Sequence, residues 1–227
     1  MMTTIDPVLT SDQMLTIIFF KREQLVTCLI GENKMNSFIN SLSEKITLKT
    51  AIAATAFFLI MLWLIDFSPI GVAGLIKITG GVGILDYETR YTADFAYAWL
   101  ESMTEAGRLF HLKKIMPLDI IYPPSLAFFM FSWLSLLFKK NTGEDSIFRN
   151  LLVLPFIYFL LDWIENIGIT AMLVSFPKRI DAVCVATGMI TSVKKTVILL
   201  IIIIFIIQLM VLLFKFIRSG GHAKIEG

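Results

Sequence analysis

Four long apolar stretches dominate the hydropathy pattern of this chain. They cover residues 48–64, 116–138, 151–176 and 196–216, and charged or turn-forming residues separate them. Since about 20 predominantly apolar residues cross the hydrocarbon core of a bilayer as an α-helix, each stretch predicts a transmembrane helix. The pattern therefore predicts an all-α membrane protein with a four-span bundle, residues 49–217, and with both ends of the chain on one side of the membrane.

The N-terminal region, residues 1–48, is predicted to be amphipathic. Ser11 or Asp12 is suited to cap a helix that continues to about Ile30, with one broad apolar side and a charged side. Such a helix lies on a membrane surface or packs on the inner face of the bundle, and the pattern does not separate these two arrangements. Residues 36–49 are then predicted to be a polar connector to the first span.

The longest connection between spans follows the first one. A glycine-rich stretch, residues 70–85, predicts a loop, and residues 92–112 predict a helical cap over the end of the bundle between spans 1 and 2. Residues 180–191 predict a loop between the last two spans. Residues 218–227 are polar and rich in glycine, so they predict a disordered tail.

Two prolines interrupt the second span. Pro123 and Pro124 remove two backbone donors from the interior of the helix, so they predict a kink or a restart near Tyr122. Asp119 and Tyr122 lie one turn apart on one side of this helix. Both are at the end of the span that is nearest to the long connection.

Composition agrees with a membrane protein and limits the possible partners. Of the 227 residues, 56% are hydrophobic, and the formal net charge is only +2. This is too apolar for an ordinary soluble domain, and the weak charge gives no reason to expect nucleic acid as a partner. An N-terminus on the inner side is weakly favoured by eleven lysines and arginines against nine. A bacterial or organellar inner membrane is the expected location.

The third span carries polar residues at its midpoint, where hydrocarbon surrounds a membrane helix. Asp162, Glu165 and Asn166 interrupt the apolar run, and one acidic residue at the centre of a span costs roughly 2.5–3.5 kcal/mol on insertion scales. Tyr158 and these three residues are separated by three or four positions, so they share one face of the helix. The face therefore needs partners from other elements.

The topology directs these polar residues to one half of the bundle. The second span begins, and the third span ends, on the side of the long connection, where Arg108 and His111 also lie. We therefore predict one site under the cap. The candidate catalytic groups are the carboxylates Asp119, Asp162 and Glu165, and the candidate binding groups are Arg108, His111, Tyr122, Tyr158 and Asn166.

Several chemistries are open for such a site. Two carboxylates one turn apart are suited to act as an acid–base pair, with Arg108 as the cation and His111 as a proton relay. A purely structural role as helix–helix glue is equally compatible with the pattern. Asp119, Asp162, Glu165 and His111 are also suitable ligands for a hard metal, but no Glu-x-x-His pair accompanies them, so we predict no metal and leave the cofactor undetermined.

The order of motifs resembles a broad, uncharacterised family of four-helix membrane proteins. The matching stretch, about residues 85–177, contains Gly107-Arg108-x-x-His111, then Asp119-x-x-Tyr122-Pro123, then Asp162-x-x-Glu165-Asn166. The family pattern has a tyrosine where this chain has His111. The resemblance implies the four-span architecture and these site residues, but it implies no particular reaction.

Two functions of different classes remain open at this point. The first is a site that binds or acts on a lipid-like or small apolar molecule within the bundle. The second is a non-catalytic accessory or structural subunit of a larger membrane complex, in which the polar cluster only joins helices. The expected partners are therefore the lipid bilayer, a lipid or small apolar ligand, or other membrane subunits. The sequence does not decide whether the protein is an enzyme.

Overall fold

The computed structural model describes residues 34–142 and 146–222. The chain divides into two compact units, Met1–Leu42 and Ser43–Gly227, and the bundle belongs to the second. The amphipathic helix predicted near the N-terminus lies outside the described residues. Helix α1, Lys34–Lys45, replaces most of the polar connector predicted for residues 36–49. It contains neither glycine nor proline, and polarity alone does not interrupt a helix.

All described secondary structure is helical, and the four-span prediction is confirmed. Four helical segments are long and apolar enough to cross a membrane: Leu48–Thr79, Glu105–Asn141, Phe148–Ser175 and Asp181–Arg218. No strand occurs in the part of the chain that the structure describes. The fold is therefore an all-α bundle of four candidate transmembrane segments.

The first segment contains two helices. Helix α2, Leu48–Leu62, begins after Thr47, whose hydroxyl oxygen accepts a hydrogen bond from the Thr50 amide at 3.2 Å, and continues as a π-helical turn, Trp63–Phe67. Helix α3, Val72–Thr79, follows, so part of the predicted glycine-rich loop is helical. The helix then ends at Gly80 in the left-handed conformation that glycine adopts at a helix C-terminus.

The predicted cap helix, residues 92–112, is divided into two helices. A short 3₁₀ turn, Leu85–Tyr87, precedes helix α4, Ala93–Ser102, and helix α5 covers Glu105–Phe110. The break follows from Thr104, whose hydroxyl accepts from the Gly107 amide at 3.1 Å and thereby starts a new helix. A π-helical turn, His111–Ile115, then leads into the second span.

The remaining three helices form most of the bundle. Helix α6 is Met116–Asn141, helix α7 is Leu154–Ser175 after a 3₁₀ segment, Ile147–Val153, and helix α8 is Asp181–His222. Helix α6 is continuous through both prolines, so the predicted restart is wrong. The predicted loop 180–191 is also wrong, because α8 already begins at Asp181.

Helix α8 also extends beyond the predicted end of the last span. Residues 218–222 of the predicted tail are helical, and residues 223–227 lie outside the described part of the chain. The described cysteine, Cys184, is buried within α8 and is free. The boundaries predicted from hydropathy were therefore too narrow at both ends of this helix.

Helices α7 and α8 pack antiparallel at very short distance. An added Cβ on Gly168 would lie 2.0 Å from the Thr187 hydroxyl oxygen, so only glycine fits at this contact. One turn away, Glu165 meets Thr191, and a further turn away Asp162 meets Lys194. This register places the polar face of α7 directly against α8.

The cap is fixed to the end of α7 and α8. Its Leu85, Leu100 and Tyr97 belong to one buried cluster with Met172 of α7 and Cys184 of α8. The Tyr97 hydroxyl oxygen also accepts a hydrogen bond from the Ile180 amide at 2.6 Å. The cap therefore covers the half of the bundle that contains the polar residues of α7.

Candidate functional site

A network of charged side chains connects α7, α8 and the 3₁₀ turn before the cap. The Lys194 ammonium lies 2.8 Å from Asp162 Oδ1 and 3.4 Å from Asp86 Oδ2, and it also forms an ion pair with Glu165. Lys194 is only 5% exposed and Glu165 is fully buried. One lysine is thus shared by three carboxylates. We call Asp86, Asp162, Glu165, Thr191 and Lys194, together with Asn166, the charged network.

Two further groups add hydrogen bonds to this network, in which Asp86 Oδ1 and Asn166 Oδ1 have no hydrogen-bond partner among the described residues. The Thr191 hydroxyl donates to Glu165 Oε1 at 2.6 Å, and Asn166 Nδ2 donates to Asp162 Oδ2 at 3.2 Å. Hydrogen bonds to a carboxylate are stronger than neutral ones, particularly where water is excluded. The network therefore holds α7 and α8 in one register and attaches the segment before the cap.

The two prolines of α6 explain a second set of contacts. Pro123 and Pro124 have no amide hydrogen, so the carbonyls four residues earlier, those of Asp119 and Ile120, lack their helical donors. Side chains of α7 replace these donors. Asn166 Nδ2 lies 3.3 Å from the Asp119 carbonyl oxygen, and the Trp163 indole donates to the Ile120 carbonyl at 3.0 Å. The prolines thus join α6 to α7 without breaking the helix.

A cavity of about 200 Å³ lies beside the charged network. Asp119 and Tyr122 of α6 and Tyr158 of α7 line it, and we call these three residues the cavity wall. The remaining lining residues come from the first span, the segment before the cap, α7 and α8: Ile65, Asp66, Ile84, Asp86, Tyr87, Asp162, Lys194, Lys195 and Ile198.

The polar side-chain groups of the cavity wall have no hydrogen-bond or ion-pair partner among the described residues. Within the described residues, the Asp119 carboxylate and the hydroxyls of Tyr122 and Tyr158 make no hydrogen bond or ion pair, although Asp119 is 5% and Tyr158 7% exposed. Buried polar groups in proteins normally have a partner. The hydrogen-bonding capacity of the wall is therefore directed into the cavity.

Polar groups on the side of the cavity near the cap do have hydrogen-bond partners. The Tyr87 hydroxyl donates to Asp66 Oδ1 at 2.9 Å, and Lys195 Nζ donates to the Tyr87 carbonyl at 2.8 Å. Burial, together with the hydrogen bond to Asp66, raises the pKa of Tyr87 above its usual range. Tyr87 is therefore a protonated donor at neutral pH.

The two predicted binding residues of the cap, Arg108 and His111, do not line the cavity and do not contact the carboxylates of α7. Arg108 donates to the carbonyls of Leu100 and Met103 at 2.8 and 2.5 Å, and its guanidinium lies 4.3 Å from the centre of the Phe176 ring. Helix α4 ends here and leaves carbonyls without helical donors, and Arg108 satisfies them. The predicted pairing of Arg108 with the carboxylates of α7 does not occur.

His111 does not contact the carboxylates either. Its ring is 1% exposed and packs edge-on against Trp99, with 5.8 Å between ring centres. Among the described residues, its Nδ1 atom has no hydrogen-bond partner. The geometry gives no path by which His111 would relay a proton to Asp162 or Glu165.

The other predicted residues divide between the two regions. Asp162, Glu165 and Asn166 belong to the charged network, whereas Asp119, Tyr122 and Tyr158 form the cavity wall. Three network members from outside α7 were not predicted from the sequence: Asp86, Thr191 and Lys194. Lys194 fell between the predicted loop, residues 180–191, and the predicted last span, although the helical spacing of Cys184, Thr187, Thr191 and Lys194 indicates that the helix begins earlier.

The carboxylates of Asp86, Asp162 and Glu165 offer oxygen atoms within 4.8 Å of one another, which is close enough to hold a metal ion. However, the Lys194 ammonium already contacts all three. A metal ion would have to displace a buried ammonium that forms three ion pairs. The geometry therefore favours an internal lysine as the cation of this cluster.

An apolar groove runs along the outer side of the contact between α6 and α7. Its volume is about 360 Å³, and its lining residues are Met116, Ile120, Trp163, Asn166, Ile167 and Thr170. Asn166 also contacts Asp119 and Asp162, which line the polar cavity. One layer of side chains thus separates an apolar, outward-facing groove from the polar interior.

Comparisons of the chain with protein-family models, with curated proteins and with solved structures found no match. The resemblance to a four-helix family therefore stays a prediction. The class of the protein follows from its own structure. Four long apolar helices identify a multi-pass integral membrane protein, with a buried polar cluster in the half of the bundle beneath a helical cap.

Proposed function

We propose that this protein binds a small polar or amphiphilic molecule in the cavity next to the charged network. The observation that carries the proposal is the cavity wall. Asp119, Tyr122 and Tyr158 present hydrogen-bonding groups to a space of about 200 Å³, and none of the described residues satisfies them. A bound molecule would supply the missing partners.

The contrast with the charged network supports a binding role over a purely structural one. An unsatisfied polar group in an apolar environment costs about 1–3 kcal/mol, so polar residues that only join helices are expected to bond to one another. Asp162, Glu165 and Lys194 do so. The wall residues are close to this network but do not use it.

A lipid-like ligand, one of the two functions left open by the sequence, is compatible with this proposal. The apolar groove along Met116, Ile120 and Ile167 would accept a hydrocarbon chain, and the cavity would accept a polar group. Asn166, which contacts Asp119 and Asp162, lies between the two spaces. The proposal requires only that the polar group occupies the cavity.

The second candidate, an accessory subunit of a larger complex, is favoured by one observation. The C-terminal half of α8 exposes aliphatic and aromatic side chains, including Ile206, Leu213 and Phe214. Lipid would cover these side chains as well as a partner helix would, because both are apolar. The cavity wall needs a polar partner, which neither of these supplies.

The proposal is tested by filling the cavity. Ile198 lines the cavity from α8, whereas the adjacent Leu199 is 56% exposed on the outer surface. We expect the wild-type protein and the control Leu199→Phe, extracted in mild detergent, to retain a small molecule that native mass spectrometry detects. Ile198→Phe should lose it.

Equal retention by Ile198→Phe and Leu199→Phe would contradict the proposal, because the molecule would then lie elsewhere. The absence of any retained molecule, together with a stoichiometric protein partner, would instead support the accessory-subunit function. Both outcomes come from one purification, since the same sample shows small molecules and subunits.

A further inference from the structure

We infer that the ligand of the cavity carries an organic ammonium group, which lies beside the Asp119 carboxylate and against the rings of Tyr122 and Tyr158. This inference rests on the cavity being a ligand site, as proposed above. It names the chemical class of the ligand, and it follows from the charge and the aromatic composition of the lining rather than from the missing hydrogen bonds alone.

The charges around the cavity are not balanced. Four carboxylates line it, those of Asp66, Asp86, Asp119 and Asp162, against the two ammonium groups of Lys194 and Lys195. Lys194 is already shared with a fifth carboxylate, that of Glu165, and Lys195 donates to the Tyr87 carbonyl. The lining therefore has an excess of negative charge, which favours a cation and disfavours an anion.

Asp119 belongs to this excess and has no cation beside it among the described residues. Its side chain is 5% exposed, and no cation among the described residues contacts it. In such a site a carboxyl group is ionised only when a cation lies beside it, because little water remains to solvate its charge. A cationic group in the cavity would compensate this charge directly, whereas a neutral hydrogen-bond donor would do so only in part.

The surroundings of Asp119 fit an organic ammonium group better than a metal ion. A hard metal ion takes several oxygen ligands, and the closely spaced carboxylates of Asp86, Asp162 and Glu165 are bound to Lys194. Beside Asp119 there remain its own carboxylate, which has no partner among the described residues, and tyrosine rings. Proteins recognise ammonium groups with this combination, because the negative face of an aromatic ring attracts a cation.

The aromatic part of the lining is held in place by neighbouring residues. The Tyr122 ring packs against Phe58 of α2, with 6.0 Å between ring centres, and Tyr158 is 7% exposed on α7. The cavity of about 200 Å³ would hold an ammonium-bearing head group and some water, since one water takes about 30 Å³ in the liquid. A free amine and the ammonium of a lipid head group share this chemistry.

The experiment uses full-length protein in nanodiscs of phosphatidylglycerol, which has no amine. Choline chloride is titrated, and the thermal unfolding midpoint and the heat of binding are recorded, with sodium chloride and magnesium chloride at equal ionic strength as references. We expect a saturable response to choline alone. A second set of nanodiscs contains phosphatidylcholine or phosphatidylethanolamine, and native mass spectrometry measures the lipid that the protein retains.

Variants of the wall assign the response to this cavity. We expect Asp119→Asn to lower the choline affinity by about tenfold or more, because a lining carboxylate without a hydrogen-bond or ion-pair partner among the described residues is lost. Tyr122→Leu should lower it by about two- to thirtyfold, and Tyr122→Phe, which keeps the ring and loses only the hydroxyl, should lower it less. Glu101→Gln, an exposed residue of the cap, is the matched control for loss of one negative charge.

The outcomes are distinct. Choline binding in phosphatidylglycerol nanodiscs indicates a free amine, and selective retention of an amine lipid that depends on Asp119 indicates a lipid head group. Both support the inference. It is overturned if neither occurs, if sodium or magnesium produces the same response, or if Asp119→Asn leaves binding unchanged. A retained molecule that is uncharged would overturn this inference while the proposed function stands.

Discussion

The charged network and the cavity wall are adjacent, yet they use their polar groups in opposite ways. In the network, Lys194 contacts three carboxylates, and the Thr191 hydroxyl donates to Glu165. In the wall, the carboxylate of Asp119 has no such partner among the described residues. The network therefore connects helices, whereas the polar groups of the wall have no partner among the described residues.

The comparison shows that one polar cluster in a membrane protein need not have one role. From the sequence alone, a structural role in joining helices and a ligand-binding role were alternatives, because the polar residues of α6 and α7 formed one group. The structure separates these residues into two groups, those whose polar side chains pair with one another and those whose polar side chains have no partner among the described residues. Asp162 and Glu165 belong to the network, and Asp119 belongs to the wall, where we propose that a ligand binds.

The largest effect on stability is expected from the cation of the network. Lys194→Met would leave the carboxylates of Asp86, Asp162 and Glu165 buried without a counter-charge, so we expect a loss of about 3–5 kcal/mol in the free energy of unfolding. Denaturation in detergent measures this loss. Lys195→Met, at the next and less buried position, is the control and should change stability little.

If Lys194→Met unfolds the protein, the charge argument is still testable. Lys194→Met combined with Glu165→Gln and Asp162→Asn removes most of the uncompensated charge, so this variant should recover much of the lost stability. Equal stability of the single and the triple variant would show that the network does not depend on Lys194 as its cation.

The second effect concerns the helix contact that sets the register of the network. Gly168→Ala would place a Cβ 2.0 Å from the Thr187 hydroxyl oxygen, which forces α8 away from α7. We expect a loss of about 1–3 kcal/mol, the usual cost of overpacking. Thermal unfolding in detergent measures it.

A second substitution separates overpacking from other causes. Thr187→Ala removes the hydroxyl and the methyl group but leaves a Cβ 3.0 Å from the new one, so the Gly168→Ala, Thr187→Ala double variant should recover most of the loss. No recovery in the double variant would mean that the close contact at Gly168 does not determine the register.

The sequence predicted many residues of the site, but not their division into a charged network and a cavity wall. Hydropathy identified the four spans, and helical spacing placed Tyr158, Asp162, Glu165 and Asn166 on one buried face, because both signals are local to one helix. The chain also predicted that Asp119 and Tyr122 approach this face. These inferences needed only the direction of each span and not its packing partners.

The partners of the network could not be predicted in the same way. The first turns of α8 bury the polar residues Thr187, Thr191 and Lys194 against α7, so their hydropathy is that of a loop. Arg108 was the expected cation for the carboxylates of α7, because it lies on the same side of the bundle. However, the helix break at Met103 gave it unpaired backbone carbonyls to bind, and a break of this kind depends on a single capping residue, Thr104.

A smaller effect on stability is expected at the hydrogen bonds that α7 side chains make to the α6 carbonyls left without helical donors by the prolines. Trp163→Phe removes the donor to the Ile120 carbonyl, whose helical donor is already absent because residue 124 is proline. We expect a loss of about 1 kcal/mol, the typical value of one hydrogen bond. Adding Pro124→Ala supplies a new amide donor, so it should reduce the cost of Trp163→Phe.

The coupling between these two substitutions is the quantity to measure, by a double-mutant cycle of unfolding free energies in detergent. Additive effects of Trp163→Phe and Pro124→Ala would show that the indole does not replace a missing helical donor. The prolines would then have to be explained by their effect on the shape of α6 alone.

The smallest effect on stability, and the sharpest test of the comparison, is expected at Asp119. Asp119→Asn removes a charge that no described residue compensates and keeps the size of the side chain, so stability should stay within about 0.5 kcal/mol of wild type or rise. Glu165→Gln instead weakens ion pairing with Lys194 and should cost about 1 kcal/mol. Ligand retention should show the opposite order: it is lost in Asp119→Asn and kept in Glu165→Gln, because Glu165 does not line the cavity. Unfolding in detergent and native mass spectrometry of the same samples give both quantities. If Glu165→Gln loses the ligand while Asp119→Asn keeps it, the charged network is the binding site and the division between the two regions is wrong.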